Sequence, residues 1–406
     1  MTILTRSCTI ISRILKGNDR IMNHTKKDSS LIECMQEVPD PREPYNQRHK
    51  FLDIVIIAIT AVLCGMDTWN EIEDWAHSKE EWLKTFLELP GGIPSHDTLN
   101  RVFQMIDPVK FHDAFFKWTS AVAGEIQGVV AIDGKTARRS GERSNGKRPL
   151  HVISAWACET SLVLGQMKVD EKTNEIKAIP ELLEMLCLKG CIVTIDAMGT
   201  QKEIAKKIIE NEADYILQVK GNQPELMQDI ALYFEKDVFS CKKTELSAKG
   251  RYYKSQSMEH GRIETREYYI ENEIEWLKKN HTGWTGIKGI GACISTVSEN
   301  GKTTRAISYS IYSREGMDAA EYGRGKRSHW GIENSLHWEL DIGFCEDGNR
   351  TRTENAAENL NVIRHIGINL LKKEKSCKMG IASKRKKCGY DMDYLYIVLT
   401  GLNAGI

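Results

Sequence analysis

Asp133 closes the apolar run VVAID and Asp196 closes CIVTID, each followed by small or flexible residues. Apolar, β-branched runs of this length predict strands, so each carboxyl stands at a strand end. On neighbouring strands of one sheet the two would meet at one edge of the core, where like charges repel unless a proton or cation joins them. Oxygen donors of this kind suit hard divalent ions. The same placement also suits two aspartates that each cap the turn or helix that follows. A third carboxylate, Glu333, lies in RSHWGIENSLHWEL, where helical spacing puts Trp330, Glu333 and His337 on one broad face beside Ile332 and Leu336. That face is expected to turn Glu333 toward the sheet, where a metal or hydrogen-bond donor must meet it. His329 and His337 each lie one turn from Glu333; they are candidate ligands or, more simply, helix residues of which one hydrogen-bonds Glu333.

Basic and amide side chains gather near these carboxylates. GKTARRSGERSNGKRPLH follows Asp133 directly and carries Lys135, Arg138, Arg139, Arg143, Lys147 and Arg148. As a hairpin it would bring phosphates toward the carboxylates; as an ordinary charge run it is a solvated face. Lys220, Asn222 and Gln223 in VKGNQ end a later strand on the same expected edge, where a Lys or an amide could hold a phosphate. Arg324, Lys326 and Arg327 stand just before the glutamate helix. For Arg350 and Arg352 a helix cap or salt bridge serves equally well.

The elements that must position these groups differ along the chain. Residues 1–44 are polar and irregular and read as a flexible leader. Residues 45–122 carry helical spacing throughout, from FLDIVIIAITAVL through WNEIEDWAHSKEEWLKTFLEL to the helix after PSHDTLN, and predict a small helical N-terminal domain. From residue 123 the spacing becomes that of strands: three strands through SLVLGQMKVD, then helix, strand, helix and strand as far as DYILQVKG. This order predicts an α/β mixed sheet with helices on its faces. Residues from about 240 to 312 alternate, as in RIETREYYI, and read as a β-rich insertion or a continuation of the sheet. Helical spacing returns to residue 371, and residues 372–406 form a basic tail.

The bulk composition of the 406 residues is that of a globular protein, with 41% hydrophobic and 28% charged residues and nine prolines. Fifty-six basic residues balance fifty-six acidic ones, so any nucleic-acid binding must use a local basic surface rather than net charge. Eleven cysteines show no second close pair beside Cys187 and Cys191, which argues against structural zinc and for a reducing, cytoplasmic setting. IVIIAITAVLCGM is too short to span a bilayer. Neither GxGxxG after a strand nor GxxxxGK[ST] occurs in a suitable context, which disfavours a nucleotide enzyme.

Taken together, FLDIVIIAITAVLCGMDTWNEIEDWA, LPGGIPSHDTLNRVFQMIDP, VVAIDGKTARRS, TIDAMGTQKEIAKKIIENEADYILQVKGNQPEL and RSHWGIENSLHWELDIGFCEDGNRTRTENAAENLNVIRHIGINLL resemble the DDE transposases of bacterial insertion sequences, in the group close to the H-repeat-associated proteins. The resemblance implies a ribonuclease H-like fold and carries the catalytic, metal-holding triad over to Asp133, Asp196 and Glu333. It implies two Mg²⁺ ions, for which Mn²⁺ can substitute, double-stranded DNA as partner, and a homodimer or larger assembly on that DNA. Related transposases often place a Tyr seven and an Arg four residues before the glutamate and a Lys seven after it; here those positions hold Lys326, His329 and Leu340. Glu339 and Asp341 are therefore kept as reserve candidates. The expected activity is strand cleavage at element ends and transfer of the 3′-OH ends; the alternative is an inactive or domesticated DNA-binding derivative.

Overall fold

Strands β1 (Val129–Thr136), β2 (His151–Ala157) and β3 (Leu162–Val169) form an antiparallel meander, and β4 (Ile192–Ile195) and β5 (Asp214–Val219) follow through the helices Glu175–Met185 and Lys202–Glu210. The structure, a computed structural model, describes residues 30–142, 146–169, 175–259 and 261–401. β4 lies parallel to β1, and β5 parallel to β4. Hairpin connections give antiparallel neighbours and helical crossovers give parallel ones, so the element order read from the sequence yields the mixed, helix-flanked sheet of a ribonuclease H-like fold. β1 and β4 are buried over VVAI and IVTI, as central strands covered on both faces must be.

The β-rich segment continues this sheet. Its strands β6 (Tyr252–Glu259), β7 (Arg262–Glu271), β8 (Gly289–Glu299) and β9 (Lys302–Tyr312) join through β9, antiparallel to β5, giving the order β3-β2-β1-β4-β5-β9-β8-β7-β6. The extended sheet curls around the helix Ala319–Gly331, which packs on β1, β4 and β5 and also on β6, β7 and β8. Contact is close enough to need glycine: a Cβ at Gly325 would lie 2.5 Å from Cδ1 of Ile216.

Helices Phe51–Leu63, His96–Met105 and Pro108–Ala123 share one hydrophobic core with the buried helix Ala356–Lys373. The end of the chain differs from the tail expected from its charge. Ile381–Tyr390 and Met392–Thr400 are helices that bury Ile381, Cys388, Tyr394, Leu395 and Val398 in the same core. Two of their basic residues are buried and satisfied internally. Lys384 Nζ donates to Leu371 O at 2.9 Å, and Arg385 donates to Val62 O at 2.7 and 2.9 Å and to Asp67 Oδ1 at 2.8 Å. Most of the expected leader lies outside the described residues; its end forms the helix Leu31–Gln36, with a capping box between Ser30 and Glu33. All ten described cysteines are free. Among the described residues no helix is long and apolar enough to cross a membrane.

Candidate active site

The register of β1 on β4 runs Val129 to Ile192, Val130 to Val193, Ala131 to Thr194 and Ile132 to Ile195. Asp133 is the next residue of β1, which does not end there as its sequence suggested but runs on to Thr136 beside β2, and Asp196 follows the last residue of β4, so the two stand side by side where β4 ends, about 4.8 Å apart in backbone spacing. Asp133 Oδ1 accepts the N–H of Gly134 at 2.9 Å, and Asp196 Oδ1 accepts those of Met198 and Gly199 at 3.0 and 3.2 Å. Burial pushes the Asp133 carboxyl up to about 7; the Gly134 N–H opposes that, and the charges of Asp196, Glu333 and Glu175 reinforce it.

Glu333 lies where the helix widens. Residues Ile332–His337 and Glu339–Gly343 are π-helical, and the N–H of Trp338 donates to Glu333 O, five residues back. Such insertions are frequent at functional sites. The inward stripe is made by Ile332 and Leu336, and Glu333 is exposed, not turned into the core as its spacing suggested. Successive helical residues are about 100° apart, so a residue next to Ile332 falls at the rim of the sheet edge. The histidines also choose other partners. His329 Nδ1 lies 3.1 Å from Thr194 Oγ1, and His337 Nδ1 lies 3.8 Å from Asp133 Oδ2. Burial pushes both imidazoles down to about 4, so they are neutral at pH 7. The reserve carboxylates are engaged elsewhere: Glu339 is buried with Lys372 at 3.9 Å, and Asp341 holds Lys135 at 2.6 Å.

Two supporting groups were not singled out by sequence. His151 Nε2 and Glu175 Oε1 pair at 2.5 Å against the backbone of Gly134, where a Cβ would lie 2.6 Å from Glu175 Oε1 and 2.8 Å from His151 Nε2. A glycine directly after Asp133 was the available signal; its partners, 17 and 41 residues on, carry none. Asn222 and Gln223 brace the loop after Asp196: Asn222 Nδ2 donates to Ala197 O at 2.6 Å and Gln223 Nε2 to Thr200 O at 3.1 Å.

Two family models match the chain. One, described as DDE_Tnp_1-associated, matches residues 32–119, and the other, Transposase DDE domain, matches residues 125–370, more than half of the sequence. The chain belongs to the DDE transposase family. Among curated relatives, Putative transposase YncI of Escherichia coli O157:H7 is 40% identical over 373 residues, covering 91% of this chain and 94% of the relative. H repeat-associated putative transposase YhhI of Escherichia coli (strain K12) is 39% identical over 376 residues, covering 91% and 98%. A solved piggyBac transposase synaptic complex with hairpin DNA has a TM-score of 0.43 and 13% identity, over 97% of this chain and 76% of that one.

In this member of the DDE transposase family the residues expected at DNA divide into two sets. Lys135 is only 11% exposed and held by Asp341 and Glu346, so it faces inward rather than to a ligand. Asn222 and Gln223 spend their amides on the Asp196 loop. Lys326 is half-buried, and burial pushes its ammonium down to about 8. Arg138, Arg139, Lys147, Arg148, Lys220, Arg324 and Arg327 are exposed. The first four lie on the segment after β1, which is tied to residues 347–354: Arg138 Nε meets Asp347 Oδ2 at 3.1 Å, Arg352 Nε donates to Arg139 O at 2.9 Å, and Lys147 Nζ donates to Arg352 O. Arg143 lies outside the described residues.

Proposed function

We propose that the protein cuts DNA strands at the ends of an insertion sequence and transfers the freed 3′-OH ends to target DNA, with Asp133, Asp196 and Glu333 as its catalytic carboxylates. The observation that carries this reading is the β1–β4 register, which sets the two aspartates side by side at the edge where the charge of Glu333 also acts on Asp133. The donor set fits Mg²⁺. It offers only carboxylate oxygens, and neither Asp196 nor Glu333 has a cationic partner among the described residues. Burial and like charge at Asp133 are a cost that a divalent cation offsets. Among the described residues no group of three or more His, Cys, Asp or Glu side chains is placed to hold a metal ion.

Bound Mg²⁺ supplies the Lewis acidity that activates a water or a 3′-hydroxyl and stabilises the departing 3′-oxygen. The chain's own residues do the rest. Asp133 and Asp196 give a rigid, strand-mounted half of the site, while Glu333 closes it from the rim. His337, neutral beside Asp133, adds no competing cation. The exposed basic residues after β1 and on the glutamate helix neutralise phosphates on double-stranded DNA. Two copies or more act together, because two element ends must be joined.

Purified wild type and the D133N, D196N and E333Q variants, incubated with labelled element-end DNA in Mg²⁺ or EDTA, test the reading. Metal-dependent cleavage lost in all three variants, with folding and DNA binding retained, is the expected result. Cleavage that survives in E333Q transfers the third role to Glu339 or Asp341; no wild-type cleavage on a verified end points to the inactive derivative.

A further inference from the structure

Arg324, Arg327, Trp330 and Glu333 follow one another at three-residue steps, and all four side chains are exposed. Each three-residue step keeps neighbouring side chains in reach but turns back by about 60°, so the four form a row that winds around the helix to the candidate catalytic glutamate rather than sharing one face. At the far end of the row a cavity of about 540 Å³ opens between this helix and the β6–β7 hairpin, with Tyr253, Ser257, Arg266, Arg324 and Arg327 in its walls and Val129 at its base. Val129 precedes Asp133 by four residues of strand, about 13 Å. Arg324 precedes Glu333 by nine residues of helix, also about 13 Å. Strand and helix thus agree on how far the cavity lies from the carboxylates.

Its charge is unbalanced. The carboxylates around it already have partners: Glu159 accepts the Val129 N–H at 2.9 and 3.0 Å, Glu321 lies 3.5 Å from Arg314, and Glu264 holds Arg266 at 2.5 Å. Arg324 and Arg327 have no acidic partner among the described residues. The guanidinium groups of Arg327, at 4.9 Å, and Arg266, at 5.5 Å, both lie over the Trp330 ring. Stacking uses the flat face of a guanidinium and leaves its in-plane N–H groups for bidentate contact with phosphate.

We propose that this row and its cavity form a second phosphate-binding subsite, which grips the backbone of the DNA strand entering the catalytic centre about four nucleotides from the scissile phosphate, at about 3.4 Å per nucleotide. The inference rests on Asp133, Asp196 and Glu333 being that centre. A free nucleotide offers the same phosphate chemistry, but a continuous row leading to Glu333 suits a strand.

The test measures binding of the full chain to a labelled element-end duplex in EDTA across a salt series, so that it does not depend on cleavage. The R324A/R327A variant alters two exposed side chains, and a thermal melt checks its fold. Two lost phosphate contacts lower the slope of log affinity against log salt by about 1.8. Single neutral methylphosphonate linkages, walked along each strand, weaken wild-type binding about four nucleotides from the cut but leave the double variant indifferent there. Arg327→Lys, which keeps the charge, retains most of the slope. An unchanged slope with no such position overturns the proposal. So does a free deoxynucleotide that binds wild type but not the double variant while the DNA slope stays the same. If cleavage by the triad fails yet slope and linkage effects appear, the catalytic reading falls and the phosphate subsite stands.

Discussion

Lys135 Nζ lies 2.7 Å from Glu346 Oε2 and 2.6 Å from Asp341 Oδ1, which makes the residue two beyond Asp133 an internal cation beneath the candidate catalytic edge. Glu346 is buried and also accepts the Asn361 amide at 2.6 Å, with Arg364 at 3.8 Å. Burial alone pushes its carboxyl up, but the Lys135 and Arg364 charges outweigh that and hold it below the usual range. Lys135→Met leaves a buried carboxylate with the neutral Asn361 amide and one distant cation, Arg364, and is expected to cost about 3–5 kcal/mol in denaturant unfolding. K135M/E346Q, which removes the stranded charge, recovers most of it. A depressed folded pKa contributes stability above the unfolded value, lost as pH falls through the folded one, so the gap between wild type and K135M closes below about pH 4.

Asp133 has the opposite sign. Its folded carboxyl stands at about 7, against about 3.9 in an unfolded chain, so the folded state binds the proton more tightly. Stability is then greatest below the unfolded value and falls as pH rises from about 4 to about 7. Asp133→Asn removes that penalty. In EDTA at pH 8, D133N is expected to be more stable than wild type by about 1–3 kcal/mol, and the difference disappears below about pH 4. Mg²⁺ raises the melting temperature of wild type at pH 8 and leaves D133N unmoved. Equal melting of the two proteins at pH 8 would show that Asp133 is not strained.

The two aspartates were legible because a buried central strand must be apolar until its cover ends and polarity returns; VVAID and CIVTID state this locally, although β1 runs three residues beyond Asp133 along β2. Glu333 was legible as a position but not as a direction. Its neighbours Ile332 and Leu336 compete for the inward face, and which pair wins is settled by packing against β1. The partners of Lys135 lie more than two hundred residues away, so a basic residue beside Asp133 reads as a ligand contact when it is an internal ion pair. The C-terminal helices were hidden by their charge: Lys384 and Arg385 reach carbonyl oxygens of other elements while Ile381, Cys388 and Leu395 fill the core. Alternation revealed the strands of residues 252–312, but their pairing onto β5 depends on long-range register that no local pattern encodes.

Asn222 separates a positioning role from a DNA contact. Its amide donates to Ala197 O at 2.6 Å, inside the loop whose Met198 and Gly199 N–H groups orient the Asp196 carboxylate. Asn222→Ala removes that partly buried hydrogen bond and a longer one to Thr200 O at 3.5 Å, about 1 kcal/mol of stability, and frees that loop. Misplacing Asp196 by a fraction of an ångström is expected to slow strand cleavage roughly 10- to 100-fold at saturating DNA, with DNA affinity unchanged and faster hydrogen exchange at the Met198 and Gly199 amides. Single-turnover cleavage, anisotropy and exchange on the same protein decide the matter. An amide that held a phosphate would give the reverse pattern, with weaker binding, a normal rate at saturation and protected loop amides; Asn222 would then belong to the DNA surface that its place at the end of β5 first suggested.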